Sequence, residues 1–252
     1  MELKTALYLV PSELSHAPLA DVLPAGNLGV VRELRHFIVE NLRSARRFLR
    51  RWDPAFPIDE CSFHELNTHT DRAAISTWLD PLRQGIPMGL LSDAGCPAVA
   101  DPGSDIVAIA QKEGLQVIPL VGPSSILLAL MASGFNGQGF AFNGYLPQDP
   151  QARRQRIIEL ERLAARTGQT QIFIETPYRN NAMVKALAET LLPDTLLCVA
   201  ADITDPDAES IRTRAAAKWR SAKYDYDKRP AIFLIHVPQA APPAARKGGA
   251  RR

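Results

Sequence analysis

The sequence predicts an α/β protein of two α/β domains with mainly parallel sheets. Two observations carry this reading. Short apolar, β-rich runs alternate with helical patterns along the 252-residue chain, and that alternation means a parallel sheet covered by helices on both faces. The alternation then restarts after a glycine-rich stretch, Ser133–Gly139, "SGFNGQG". That stretch is the expected boundary between residues 1–133 and 134–237.

The elements follow in order. Thr5–Val10 and His36–Val39 read as strands, and Asn41–Trp52 as a helix. Ser62–Asn67 is a candidate strand and Asp71–Arg83 a helix. Met88–Ser92 is a strand, followed after a long loop by a helix to about Glu113. Gln116–Val121 is a strand and Ser124–Ser133 a helix. Beyond the glycines, Phe140–Tyr145, Gln171–Glu175, Leu196–Ala201 and Ala231–His236 read as strands, with helices over Asp149–Ala165 and Asn181–Leu191. Residues 238–252 are rich in Pro, Ala and basic residues, a composition expected to stay disordered.

Composition narrows the class. The chain is 46% hydrophobic and 22% charged, with a net charge of +2. That is ordinary globular composition, too mildly basic to diagnose a nucleic-acid binder. No apolar run approaches the roughly 20 residues of a membrane span, so no membrane partner is expected. "MELKTALYLV" has no secretion-signal pattern, and three scattered cysteines fit reduced thiols in a cytoplasmic protein. The basic residues are uneven, with five arginines in Arg43–Arg51 and four Lys/Arg in Ala245–Arg252. A solvated helix face and a disordered end are the plain readings.

Ligands of open parallel sheets bind beyond the carboxyl ends of strands. Two such ends are distinctive. Leu90–Asp105, "LLSDAGCPAVADPGSD", is small, acidic and rigid. Its glycines let backbone approach a ligand and its prolines hold the loop open. A side chain placed at Gly95 is therefore expected to cost ligand binding more than folding. The other is Pro119–Gly134, where Gly122-Pro123 precedes Ser124 and Ser125 at a helix start. Those serines read equally as a helix cap or as part of an anion site.

Several familiar sites are missing. No Gly-x-Gly-x-x-Gly follows the first strand, and no Walker loop, Gly-x-Ser-x-Gly or His-Glu-x-x-His is present. His64 and His69 flank Glu65, but a surface loop explains them, so no metal is expected. Cys96, between Gly and Pro, reads as a small packed residue rather than a nucleophile.

The ordered set "SDAGCPAVADPGSDIV", "VIPLVGPSSILLALMASGF", "FNGYLP" and "IFIETPYR" resembles the tetrapyrrole methylase superfamily of S-adenosylmethionine-dependent methyltransferases. Within it, the likeness is to the branch of bacterial small-subunit ribosomal RNA cytidine 2′-O-methyltransferases, and it covers roughly Thr5–His236. The resemblance implies two α/β domains with the methyl donor in a cleft between them, a homodimer, S-adenosylmethionine as cofactor, and ribosomal RNA or the small subunit as partner. Carried over by position, it implies donor contacts at Ala94, Gly95, Cys96 and Val99, at Ser124 and Ser125, and at Pro11. Weaker contacts fall near Thr176, Ala200 and Ala231.

The chain departs from that branch in three places: the longer first loop "VPSELSHAPLADVLPAGNL", Glu40-Asn41-Leu42-Arg43, and Ala201–Asp205. These lie on what would be the acceptor side. A small-molecule methyltransferase, or a donor-binding protein without methyl transfer, are the alternatives. No catalytic residue is assigned. Asp93, Asp101, Glu175 and Glu40 are the carboxylates near the motif loops, with loop capping as the plain role of Asp93 and Asp101. An ion pair is the plain role of Glu175 and Arg179. Arg43 and Arg179 could hold an anionic acceptor.

Overall fold

The computed structural model describes residues 3–67, 70 and 74–238. His69, the start of the helix expected from Asp71, and the basic tail over 239–252 lie outside the described residues. The chain folds into two compact units. The first runs up to Leu128 and includes Asp202–Glu209; the second is Ala129–Ala201 with the chain from Ser210 onward. The division thus falls inside a helix rather than at the glycine-rich stretch.

The first unit contains β1 (Leu7–Val10), short helices α1 (Leu19–Val22) and α2 (Ala25–Val31), β2 (His36–Val39), α3 (Leu42–Trp52), β3 (Ser62–Glu65), α4 (Asp80–Arg83), β4 (Met88–Leu91), α5 (Gly103–Lys112) and β5 (Val117–Pro119). The strands pair in parallel in the order β3-β2-β4-β1-β5. Strand parity divides the core. Tyr8 and Val10 pack on one face with Phe37, Phe48 and Leu49. Leu7 packs on the other with Ile38, Met88 and Ile106. α3 buries Ala45, Phe48 and Leu49 and begins at Asn41, whose side chain accepts from the Ser44 amide at 2.9 Å. The helix expected over Asp71–Arg83 is instead, where described, a 3-10 turn, Ile75–Leu79, followed by α4. Pro81 has no amide to carry a helix through and starts a new one.

Helix α6 (Ser125–Ser133) crosses from one unit to the other. The second unit follows with β6 (Phe140–Tyr145), α7 (Pro150–Thr167), β7 (Thr170–Ile174), α8 (Asn180–Thr190), β8 (Leu196–Ala201), β9 (Ser210–Ala215), α9 (Ala216–Trp219) and β10 (Ala231–His236). Its sheet order is β6-β7-β10-β8-β9.

The expectation of a parallel sheet holds here only for β6 and β7; β10 pairs antiparallel with β7 and β8, and β9 antiparallel with β8. The reason is the connections. β6, β7 and β8 are joined by α7 and α8 and run in one direction. β9 follows β8 through a short segment without a helix, which permits only an antiparallel return. Phe173, Met183, Leu187, Trp219 and Phe233 form the core of this unit.

Candidate functional site

In the first unit the parallel strands all end on one edge, and three of the loops that leave it interlock. The Ser12 amide, after β1, donates to the Gly95 carbonyl, after β4, at 3.0 Å. The Cys96 thiol lies 3.4 Å from the Pro123 carbonyl, after β5. Pro11 rests on Gly122 so closely that a Cβ there would sit 2.2 Å from the Pro11 ring. The structure therefore brings Pro11, Gly95 and Cys96 together with the turn that leads into Ser124 and Ser125.

The loop after β4 is rigid for reasons visible in its backbone. Gly95 has φ +74°, and a Cβ on it would meet Leu14 at 2.9 Å and the Pro123 carbonyl at 3.2 Å. A side chain at Gly95 would therefore also burden the fold, because the positive φ strains it and the Leu14 side chain and Pro123 carbonyl would have to give way. Ala98 and Ala100 also adopt positive φ, 65° and 62°. Asp101 holds this shape with its carboxylate, accepting from the Ala98 amide at 2.9 Å and the Gly103 amide at 2.7 Å. Asp101 is thus the loop cap that its plain reading gave. Ala94 and Val99 are exposed on the same loop. Ser124 Oγ accepts from the Leu127 amide at 3.4 Å, a long capping bond at the start of α6.

The carboxylates gather beside these loops. Ser92 Oγ donates to Glu40 at 3.1 Å, and Ser12 Oγ to the Ser92 carbonyl at 3.1 Å. Burial, reinforced by the negative charges of Asp101 and Asp93, pushes Glu40 up to about 7. Burial and then Glu65 also push Asp93 up. That places Glu40 where it can exchange a proton near neutrality. A narrow crevice lined by Val39, Glu40, Leu66, Pro97 and Asp101 lies next to it.

The three segments where the chain departs from the family pattern fall into one network. Glu40 joins Ser92, and Ser92 joins Ser12 of the first loop. Further along that loop, Ser15 hydrogen-bonds Thr204 at 3.0 Å, and Glu13 pairs with Arg51 of α3 at 2.6 Å. Sequence reasoning did not find this network, because Ser15 and Thr204 lie 189 positions apart. On α3, Arg43, Arg46, Arg47, Arg50 and Arg51 are all exposed. Arg46 and Arg51 pair with Asp59 and Glu13, and Arg43 and Arg47 have no carboxylate partner among the described residues.

In the second unit, Thr176 is half-buried at the end of β7, beside Glu175. Both Arg179 nitrogens reach Glu175 Oε1, at 3.0 and 2.6 Å, and Glu175 Oε2 has no partner among the described residues. Glu175 and Arg179 therefore form the ion pair of the plain reading. Ala200 and Ala231 are buried in β8 and β10. Ala200 is paired on both sides, with Ile232 and Ile211. Among the described residues no group of three or more His, Cys, Asp or Glu is placed to hold a metal ion.

A family model for tetrapyrrole (corrin/porphyrin) methylases matches residues 20–218, and the chain belongs to that family. It is a methyltransferase that uses S-adenosylmethionine. Within the family it is similar to the small-subunit ribosomal RNA branch. A Vibrio cholerae protein called ribosomal RNA small subunit methyltransferase I is 28% identical over 233 residues, 91% of this chain and 76% of that one. The protein of the same name from Halalkalibacterium halodurans is 35% identical over 176 residues, 70% of this chain. The chain spans only 57% of that relative's length. Among solved structures, uroporphyrin-III C-methyl transferase from Thermus thermophilus, complexed with S-adenyl homocysteine, superposes with a TM-score of 0.56 at 16% identity. It covers 92% of this chain and 97% of its own, a likeness of fold.

The interlocked loops fit such a donor on this chain's own features. Gly122 has no room for a side chain, Gly95 is tightly seated at positive φ, and exposed Ala94 leaves backbone accessible.

Proposed function

We propose that the chain methylates small-subunit ribosomal RNA, at a ribose or base, as a homodimer in the cytoplasm. The supporting observation is the interlocked edge of the first unit, together with relatives whose names specify that substrate. The proposed donor contacts are Pro11, Ala94, Gly95, Cys96, Val99, Ser124 and Ser125; for Thr176, Ala200 and Ala231 the support is the family likeness.

Bound S-adenosylmethionine supplies an electrophilic methyl group on a sulfonium. The chain's own contribution is to orient and to exclude water, and holding two reactants in line supplies much of a transfer rate. The loop after β4, fixed by Asp101, presents backbone that needs no reorganisation. Glu40 takes up a proton near neutral pH, which suits a hydroxyl acceptor. Arg43 and Arg47 on α3 are the free guanidinium groups for phosphates.

Homodimer formation is supported by Leu127 and Met131, 49% and 78% exposed one turn apart on α6. No described helix is long and apolar enough to cross a membrane; the cytoplasm is proposed from the three free thiols. Mass spectrometry of ribosomal RNA nucleosides, from cells with and without the chain, tests the substrate. A missing methylated nucleoside restored by the gene is expected; identical nucleosides in both strains would overturn it. Calorimetry with S-adenosylmethionine tests the donor site separately.

A further inference from the structure

β9 is an edge strand of the second sheet, and its outward pattern is unusual. Ser210, Arg212 and Arg214 alternate along it and so share one face. Charges on an edge discourage strand pairing between molecules, and that alone would explain two arginines. It does not explain what stands opposite. The chain after α9 returns over this face with Lys223, Tyr224, Tyr226 and Arg229, and together they line an open cavity of about 380 Å³. That lies in the range of small-ligand and single-nucleotide sites, about 300–1,000 Å³.

The walls are built rather than incidental. The Tyr226 ring is buried and carries the Arg229 guanidinium over it at 5.5 Å. Tyr224 stacks on Tyr226, with ring centres 6.1 Å apart and planes 19° apart. Arg214 lies over Trp219 at 5.4 Å. Burial raises the pKa of the Tyr226 phenol, and the nearby positive charges of Arg212, Arg229 and Arg214 offset only part of that rise. The one acid of the rim, Asp225, is occupied by the Asn181 side chain and the Asp227 amide, at 3.0 Å each. Arg212, Arg214 and Lys223 have no carboxylate partner among the described residues. Cations held on rings beside a polar floor form a site for an anion next to a flat ring.

We propose that this pocket binds a single-stranded segment of RNA. Arg212 and Lys223 contact its phosphates, and one base stacks on Tyr224. Duplex RNA would present no unstacked base, so the site selects single strands. The proposal rests on the reading of the chain as an RNA methyltransferase and adds a docking site remote in sequence from the donor loops.

Fluorescence anisotropy with a short labelled single-stranded RNA, and with a duplex of the same length, tests it on the full chain. Arg212→Glu with Lys223→Glu is expected to weaken single-strand binding at least tenfold. It should also flatten the dependence on salt by about 0.7 per lost phosphate contact. Tyr224→Ala should weaken it about tenfold and Tyr224→Phe should not. Melting temperature and S-adenosylmethionine binding should stay at wild-type values in the charge variants and in Tyr224→Phe. Tyr224→Ala also removes a ring packed on Tyr226 and Trp219, so it should melt lower while S-adenosylmethionine binding stays at the wild-type value.

Arg162→Glu, an exposed reversal on α7, controls for bulk charge. An equal loss in that control, unchanged affinity in the pocket variants, or saturation by adenosine monophosphate at equal concentration would each overturn the pocket. The RNA reading would survive those outcomes as long as the wild type binds RNA. A wild type that binds no RNA would overturn both.

Discussion

Two loops of the first unit face the same edge and are held there in different ways. The loop after β4 is braced at the level of the main chain: a glycine at φ +74°, two alanines at positive φ, and one carboxylate closing them. The first loop, after β1, is held mainly by side chains, through Ser12, Glu13 and Ser15. The loop that matches the family's donor-side motif is the one with the backbone devices. The loop that departs from the family is the one with replaceable side-chain links. Main-chain devices fix a shape and admit few substitutes. Side-chain bonds can be exchanged one at a time.

The largest effect expected from breaking the rigid loop is at Gly95. Gly95→Val forces a branched side chain into positive φ against Leu14 and Pro123, and strain of this kind with a clash costs roughly 2–4 kcal/mol. Thermal unfolding should show a large loss of stability along with lost donor binding. A variant that melts like wild type but binds no donor would show the glycine serves the ligand alone. Next comes Asp101→Ala. It strips two backbone amides of their acceptor and leaves Ala98 and Ala100 strained, a loss of about 1–3 kcal/mol. It also removes a charge that raises Glu40, so Glu40 should titrate lower, as NMR of the labelled carboxyl would record. Milder again is Ser15→Ala in the first loop. One partly buried bond to Thr204 disappears, worth about 1 kcal/mol, and donor binding should be unchanged. If calorimetry instead showed donor affinity lost with Ser15, the two loops would be one unit and the comparison would fail.

Much of the fold was legible where burial dictates sequence. His36–Val39, Phe140–Tyr145, Leu196–Ala201 and Ala231–His236 are strands with the expected bounds, because mostly apolar runs flanked by turns have few other uses. The start of α3 was legible from Asn41, a capping residue before an amphipathic pattern. β9 was not. "SIRTRA" lies on an edge with two arginines outward, and its pairing with β8 rather than its own pattern makes it a strand. Nor were α1 and α2, each set off by a proline, at 18 and 24, in a segment that reads as loop. At the site, glycines, prolines and small residues marked the loop after β4. The tie from Ser15 to Thr204 had no local signal.

The smallest effect sits where the two loops meet, at Glu40, and its sign depends on pH. Glu40 ionises near 4.5 when unfolded and is raised to about 7 in the fold, chiefly by burial and then by Asp101. Below pH 4.5 the carboxyl is protonated in both states and costs nothing. Between 4.5 and 7 the folded state holds the proton more tightly, so stability falls as pH rises through that window. Above 7 the full penalty remains. Glu40→Gln keeps an acceptor for Ser92 and carries no charge. It should therefore match wild type near pH 4.5 and exceed it above pH 7. The difference is at most about 1 kcal/mol once solvent screening is allowed for. Denaturant unfolding at the two pH values measures it. A gain equal at both would assign the effect to packing, and a loss above pH 7 would mean that the ionised carboxylate is held by a partner in the first loop. In that case the flexible side of the edge would be as firmly fixed as the rigid one.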